Sequence, residues 1–394
     1  MVFRYFYTKV ILLVAVIGLL ASGNLFATHN MGKDLQYQFI GVSGGQVQYR
    51  VTVRYSRNCW DNSIGGQASP APSSVTLHVS GTPCGYTLNT NLPLDNSAVP
   101  SNGSEVSQLC PAQLPSSGCN WSGPGNPPYP GVQIYTYTGI ISVPVPCTQA
   151  TFGTDECCRN GSINNIPNPC GEDLSIMATV NNVVDTTLHI TNNSVSFTGL
   201  PVPFFCLGSN VTFNHGAVDI DGDSLVYSLV NPMDGFGLPY ANIMFSPGYT
   251  VTCPIRTLPP NSFQFDTHTG QMQFVPAFQE QDVLAMRVDE YRNGVWVGST
   301  TRDIQIVILN CAIAIPDQNT ITNVQNGNQV DSLTVQVCPG TPLQFDIECT
   351  DPANHNLTVT SNLNTLPPAI PGAHMTQIGS GDTVTARVQW TPLA

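Results

Sequence analysis

The chain has 394 residues, a prior of two to three domains, and only 9% of them are charged, against about 25% in an average soluble protein. Acids outnumber bases 25 to 12 for a formal net charge of -13, which argues against nucleic acid as a partner, because binding it needs a clustered basic footprint. The 34 glycines and 32 prolines argue against long helices, while a hydrophobic content of 41% is enough to bury a core and argues against disorder.

Residues 2–9 carry Arg4 and Lys9 and no acid, and an apolar run follows from Val10 to Ala21. Ser22, Gly23 and Asn24 come next, then Leu25-Phe26-Ala27-Thr28. This is the three-part pattern of a secretory signal peptide, with cleavage expected after Ala27 and Ala21–Gly23 as alternatives. The run is short of the roughly 20 residues that span a bilayer, so residues 1–27 read as a signal peptide. After its cleavage no apolar stretch is long enough to span a membrane, and the mature chain is expected outside the cell or on its outer surface.

Thirteen cysteines fit that compartment, eight of them before residue 171. Dense cysteine in an exported chain reads as disulfides. The candidates are Cys59, Cys84, Cys110, Cys119, Cys147, Cys157, Cys158, Cys170, Cys206 and Cys311. The chain has no CxxC and no histidine pair at zinc spacing, which disfavours a metal cluster. Adjacent Cys157 and Cys158 point to two separate disulfides. The odd count leaves at least one thiol free or partnered outside the chain, and the connectivity stays open.

Residues 28–200 read as a cysteine-rich β domain. Tyr37–Phe39 and Gln46–Tyr55 alternate around Gly44-Gly45, the signature of a hairpin. Further strands are expected at Val75–Val79, Gln133–Val145, Leu174–Val180 and Thr187–Thr191. Residues 84–130 are rich in Pro, Ser, Asn and Gly and read as a long stapled loop. Trp121 and Tyr129 sit in that loop, where aromatic rings on a rigid scaffold can stack on sugars or a protein partner.

Residues 201–311 read as a sandwich of about seven short strands, immunoglobulin-like or cadherin-like. Val211–Phe213, Leu225–Leu229, Gln271–Phe274, Val283–Tyr291, Val295–Gly298 and Thr301–Leu309 are the strand candidates, with a hairpin turn at Asn293-Gly294. Asp219-Ile220-Asp221-Gly222-Asp223 is the sharpest local motif. Three carboxylates at alternate positions can converge on a hard cation such as calcium, with Asp289, Glu290 and Asp303 as additional candidate ligands. It is not an EF-hand loop, since Val230 stands where the twelfth-position glutamate belongs. The competing reading is a polar turn that merely favours Asp and Gly.

Residues 312–394 repeat the preceding unit. Cys206, Gly208, Phe213, Asp219 and Leu225 recur at a constant offset of 132 residues as Cys338, Gly340, Phe345, Asp351 and Leu357. Gln273-Phe274-Val275-Pro276 likewise matches Gln389-Trp390-Thr391-Pro392. Repetition on this scale means tandem domains of one fold. The second copy keeps Asp351 but has Ala353 and His355 at the other acidic positions. The equivalents of the last strands are missing after Pro392, so this domain is expected to be incomplete: the chain is a fragment, or a partner supplies the missing strands.

The sequence carries no HExxH, GxSxG, Walker or GxGxxG motif, and no enzyme is expected. Several segments in order do resemble a known group. They are Ala27-Thr28-His29-Asn30, Gln46–Cys59, Cys157–Ile166, Asp221–Leu229, Glu290–Gly294 and Arg302-Asp303. Together they are similar to the N-terminal region of large Bacteroidota surface proteins, the gliding motility-associated, adhesin-like proteins exported by type IX secretion. The resemblance covers nearly the whole mature chain. It implies tandem immunoglobulin-like and cadherin-like domains, a surface or secreted location, and adhesion rather than catalysis. The expected partners are an extracellular glycan or protein surface, or other copies of the chain. A self-assembling filament subunit completed by strand donation and a secreted carbohydrate-binding module are the alternatives, and structural calcium is the candidate cofactor.

Overall fold

The computed structural model describes residues 30–393 except 62–64, 69, 99, 110–111, 182–190, 200–201, 312–316, 330–334, 352–353, 362 and 364–371. The signal-peptide segment, Cys110 and most of the strand expected at Thr187–Thr191 lie outside the described residues. The described chain is all-β, with two single-turn 3-10 segments. Among the described residues no helix is long and apolar enough to cross a membrane.

Strands β1 (Asn30–Ser43) and β2 (Gln46–Asn58) form the opening hairpin. Gly44 and Gly45 turn it with φ of 59° and 74°, the left-handed region that a glycine enters at no steric cost. Alternation along β2 buries Val47, Tyr49, Val51 and Val53 on one face. Strands β3 (Ser74–Thr82) and β4 (Tyr86–Pro93) follow as an antiparallel pair. The expected stapled loop therefore begins with a strand. Tyr86, Leu88 and Leu92 alternate with polar residues and pack on the core, so side-chain periodicity outweighs the asparagine content. Strand β5 (Val132–Pro144) pairs with β2 along its whole length. Strands β6 (Gln149–Thr154) and β7 (Ile176–Asn181) complete this region. Its core centres on Tyr37, Tyr49 and Phe152, whose ring centroids lie 5.6 Å apart.

The next strands are β8 (Phe204–Cys206), β9 (Val211–Asn214), β10 (Ser224–Val230), β11 (Gln271–Phe274), β12 (Gln281–Arg292) and β13 (Val295–Leu309). Asn293 and Gly294 make the expected hairpin turn, both at positive φ. The two strands expected at 295–298 and 301–309 are one continuous strand of 15 residues. One edge of β13 is taken by β12. The other edge is shared in succession by β7 (Ala178 opposite Thr300), β1 (Gly32 opposite Ile304) and β8 (Phe204 opposite Val307). Strands from both sides of residue 200 thus belong to one 12-stranded sheet, joined by hydrogen bonds across the boundary that composition suggested. Residues 299–307 of β13 are buried on both faces, as in an interior strand, even though Ser299–Asp303 are polar.

Two buried ion pairs cross this seam. Arg159 grips Asp303 of β13 with Nη1–Oδ1 at 2.9 Å and Nη2–Oδ2 at 2.8 Å. Arg302 of β13 reaches Asp34 of β1 at 2.7 Å. The second half packs its own core around Val211, Tyr227, Met272, Phe274 and Ile306.

Strands β14 (Asp317–Gln325), β15 (Leu343–Thr350), β16 (His374–Ile378) and β17 (Thr383–Trp390) form a separate sheet in the order β14-β15-β17-β16. The repeat is visible in its pairing. Val211 faces Phe274 across β9 and β11, and Leu343 faces Trp390 across β15 and β17. The Gly208 N–H donates to the Pro276 carbonyl at 3.0 Å, and the Gly340 N–H donates to the Pro392 carbonyl at 2.7 Å.

Among the described residues four disulfides are formed: Cys59–Cys119, Cys84–Cys147, Cys157–Cys158 and Cys206–Cys311. Cys157 and Cys158 therefore join each other, not two separate partners. Cys170, expected to be bridged, is a free and exposed thiol, and Cys253, Cys338 and Cys349 are also free.

Candidate metal centre

The Asp219–Asp223 segment is a turn leading into β10. Asp219 Oδ1 accepts the Asp223 N–H at 2.9 Å, and Gly222 supplies a φ of 79°. The register of β10 on β12 sets Leu225 opposite Glu290 and Ser224 opposite Tyr291, so the end of β12 runs beside the turn. One carboxylate oxygen each from Asp219, Asp223 and Glu290 lie within 4.8 Å of one another.

These three acids differ in their surroundings. Glu290 is fully buried, and desolvation pushes its pKa up to about 8. Its Oε2 accepts Asn192 Nδ2 at 2.6 Å and its Oε1 accepts the Val195 N–H at 3.0 Å. The pKa of Asp219 is raised as well, first by desolvation and then by its acidic neighbours. Its Oδ2 is shielded from solvent and accepts no hydrogen bond. Asp223 is held by Arg292 through Nε at 2.7 Å and Nη2 at 2.8 Å. Arg292 also donates to the Thr191 carbonyl at 2.9 Å and to Asn192 Oδ1 at 3.1 Å, tying residues 191–195 to the turn.

The remaining sequence-derived ligands lie elsewhere. Asp221 accepts the Asn193 N–H at 2.7 Å and Nδ2 at 2.8 Å, and it faces Arg292 at 3.1 Å, so it braces the rim of the turn. Asp289 accepts from Arg287 at 2.9 Å and from Trp296 Nε1 at 3.1 Å. Asp303 belongs to the buried pair with Arg159. The reason is strand geometry: successive residues point to opposite faces, so Asp289 and Glu290 cannot both face the turn. Arg292 is the residue that motif reading missed. Its nearness in sequence to Glu290 was a signal, since a short β segment returns to the same face after two residues.

What this arrangement can do is bind a hard cation with oxygen ligands. Of the three carboxylates only Asp223 is paired with the Arg292 guanidinium, and calcium takes six to eight oxygens, the rest of which carbonyls and water would supply.

The aromatic loop is organised inward. Trp121 is half-buried, its Nε1 donates to the Gly125 carbonyl at 2.9 Å, and its ring lies against Gly123. Tyr129 is half-buried and its hydroxyl accepts from Gln113 Nε2 at 3.3 Å. Both rings thus contact their own loop.

No protein-family model matches this chain, and no curated protein matches it.

Proposed function

We propose that this chain is a non-catalytic extracellular adhesin or cell-surface structural protein, of the gliding motility-associated, adhesin-like kind that its sequence resembles. On this reading, residues 201–311 and 312–394 are related immunoglobulin-like or cadherin-like units behind the disulfide-rich region at 28–200. Four disulfides suit an oxidising compartment outside the cytosol.

The observation that supports the reading best is the double membership of β13. One strand of 15 residues is hydrogen-bonded to β12 on one edge and to β7, β1 and β8 on the other. A load entering either half passes to the other through a backbone ladder and buried ion pairs. The Cys206–Cys311 bridge closes the second half, where β8 runs parallel to the end of β13. A stiff body of this kind holds loops and sheet faces at a fixed geometry for attachment. We further propose that calcium binds at Asp219, Asp223 and Glu290 and stiffens the turn beside Arg292.

The test is retention under flow of beads coated with the whole mature chain on glass bearing mucin, acidic polysaccharide or collagen. Retention at least tenfold above albumin-coated beads on one of these surfaces is expected. Retention equal to albumin on all three, or hydrolysis of the surface by the protein, overturns the reading.

A further inference from the structure

A second site lies on the opposite side of β2 from the aromatic core. Residues 50, 52 and 54 of β2 share one face, because side chains alternate. The register brings Gln36 of β1 opposite Thr52, and Thr138 and Thr136 of β5 opposite Thr52 and Arg54. Asp95 and Ser97, from the segment after β4, wall one side. Together they line a cavity of about 450 Å³, within the range of small-ligand sites.

The charges here do not balance. Arg54 is nine-tenths buried, and its one hydrogen bond to a described residue is from Nη1 to the Phe197 carbonyl at 3.3 Å. Its cross-strand neighbour Asp34 is ion-paired to Arg302, so two guanidiniums compete for one carboxylate. His215, packed against Arg302, is buried and held neutral by desolvation and by that guanidinium. Arg50 is exposed and makes no direct hydrogen bond or ion pair with any described residue, although its charge acts at longer range on Asp95, whose pKa is lowered first by the Ser97 bonds and least by Arg50. Six other arginines, at 159, 256, 287, 292, 302 and 387, each pair with an acid. Arg57 of β2 is likewise buried with no ion pair to a described residue and bonds the Asn58 carbonyl, so what sets Arg50 and Arg54 apart is that both line one cavity. A buried guanidinium without a counter-ion is costly, and a ligand anion relieves that cost.

The rest of the lining specifies what carries the anion. Among the described residues the cavity presents Thr, Gln and Ser side chains and the Asp95 carboxylate, with Ala98 as the apolar side chain. Asp95 Oδ1 already accepts the Ser97 N–H at 2.9 Å and hydroxyl at 2.6 Å, the Thr138 hydroxyl also bonds this carboxylate, and its remaining lone pairs can accept ligand hydroxyls. A peptide side chain would meet almost no apolar wall, and a dense polyanion would meet Asp95. We infer that this cavity binds an acidic saccharide, a hexuronate unit whose carboxylate lies between Arg50 and Arg54 and whose hydroxyls bond Gln36, Thr52, Thr138 and Asp95. A guanidinium matches a carboxylate through paired N–H donors. The inference rests on the adhesive reading for its biological role, and it names the class of molecule gripped.

The test titrates the whole mature chain with a hexuronate oligosaccharide, its neutral glucose counterpart and inorganic sulfate, followed by calorimetry and saturation-transfer NMR. The hexuronate is expected to bind at least tenfold tighter than the neutral sugar and than sulfate. Arg50→Gln, on an exposed side chain, is expected to weaken it at least fivefold with the melting temperature unchanged. Arg54→Gln should abolish binding, with circular dichroism checking its fold. Equal binding of acid and neutral sugar, equal binding of sulfate, absence of binding, or unchanged affinity in Arg50→Gln each overturns the site. The bead assay separates the two proposals. Bead retention without hexuronate binding removes the site and leaves the adhesive reading, and hexuronate binding without retention does the reverse.

Discussion

The two copies of the repeat share a strand pairing and differ in what covers it. In the first, β9 and β11 lie over the long hairpin β12–β13, and Val211, Met272 and Phe274 are buried. In the second, β15 and β17 pair in the same register and Leu343 is buried as Val211 is, yet Val388 and Trp390, the counterparts of Met272 and Phe274, are only half-buried. Cys206 is bridged to Cys311, whereas its counterpart Cys338 is an exposed thiol. The acidic turn differs in the same sense. Asp219 meets two further carboxylates, while Asp351 accepts His355 Nδ1 at 2.8 Å. The repeated sequence goes with the same strand pairing in both copies, but burial and charge convergence depend on what else packs against it.

The comparison can be broken most forcefully at the disulfides. Replacing both Cys206 and Cys311 with serine removes a cross-link spanning 105 residues, with an expected loss of about 4–5 kcal/mol in denaturant unfolding on loop-entropy grounds. Cys338→Ser should change nothing measurable. Core truncation comes next. Met272→Ala, at a fully buried position, should cost about 2–5 kcal/mol. Val388→Ala at the half-buried equivalent should cost about 1 kcal/mol or less.

Calcium sharpens the contrast between the turns. At a hundredfold excess over Kd, thermal unfolding should show about 2.7 kcal/mol of added stability. Asp219→Asn and Glu290→Gln should abolish this, and Asp351→Asn should leave it intact. A response equal in all variants would remove the cation from Asp219 and Glu290.

The smallest effect concerns pH. Asp282 on β12 is fully buried, with both carboxylate oxygens shielded and without hydrogen-bond partners. Desolvation first, and then the charge of Glu280, holds its pKa well above the carboxylate range. The folded form therefore keeps a proton that the unfolded chain releases near pH 4. Its contribution to stability is fully present below that pH and falls as pH rises toward the alkaline range. The slope is at most one proton, about 1.4 kcal/mol per pH unit. Melting temperature against pH should flatten in Asp282→Asn, while Asp346→Asn in the second copy should not flatten it, because Arg387 and Asn323 hold Asp346 ionised.

Part of the candidate centre was legible beforehand. Asp219 and Asp223 stand out because an Asp-rich turn announces itself at a spacing of two. Glu290 was one of several acids near β12, and only the register of β10 on β12 separates it from Asp289. Arg50 and Arg54 are plain in the sequence, but nothing local says that Asp34 is already taken by Arg302.

The sequence by itself determined the all-β class, the hairpins at Gly44-Gly45 and Asn293-Gly294, and the repeated segments that hold β9 and β11 in one copy and β15 and β17 in the other. Each of these follows from side-chain alternation and turn chemistry acting over a few residues. Only the tertiary structure decided that β13 joins two regions into one sheet, that Cys157 pairs with Cys158, and which carboxylates meet. The sheet junction and the meeting of carboxylates depend on contacts between residues distant in the chain, where local periodicity carries no information about register or partner, and the bridge between adjacent Cys157 and Cys158 depends on which thiols the fold brings together.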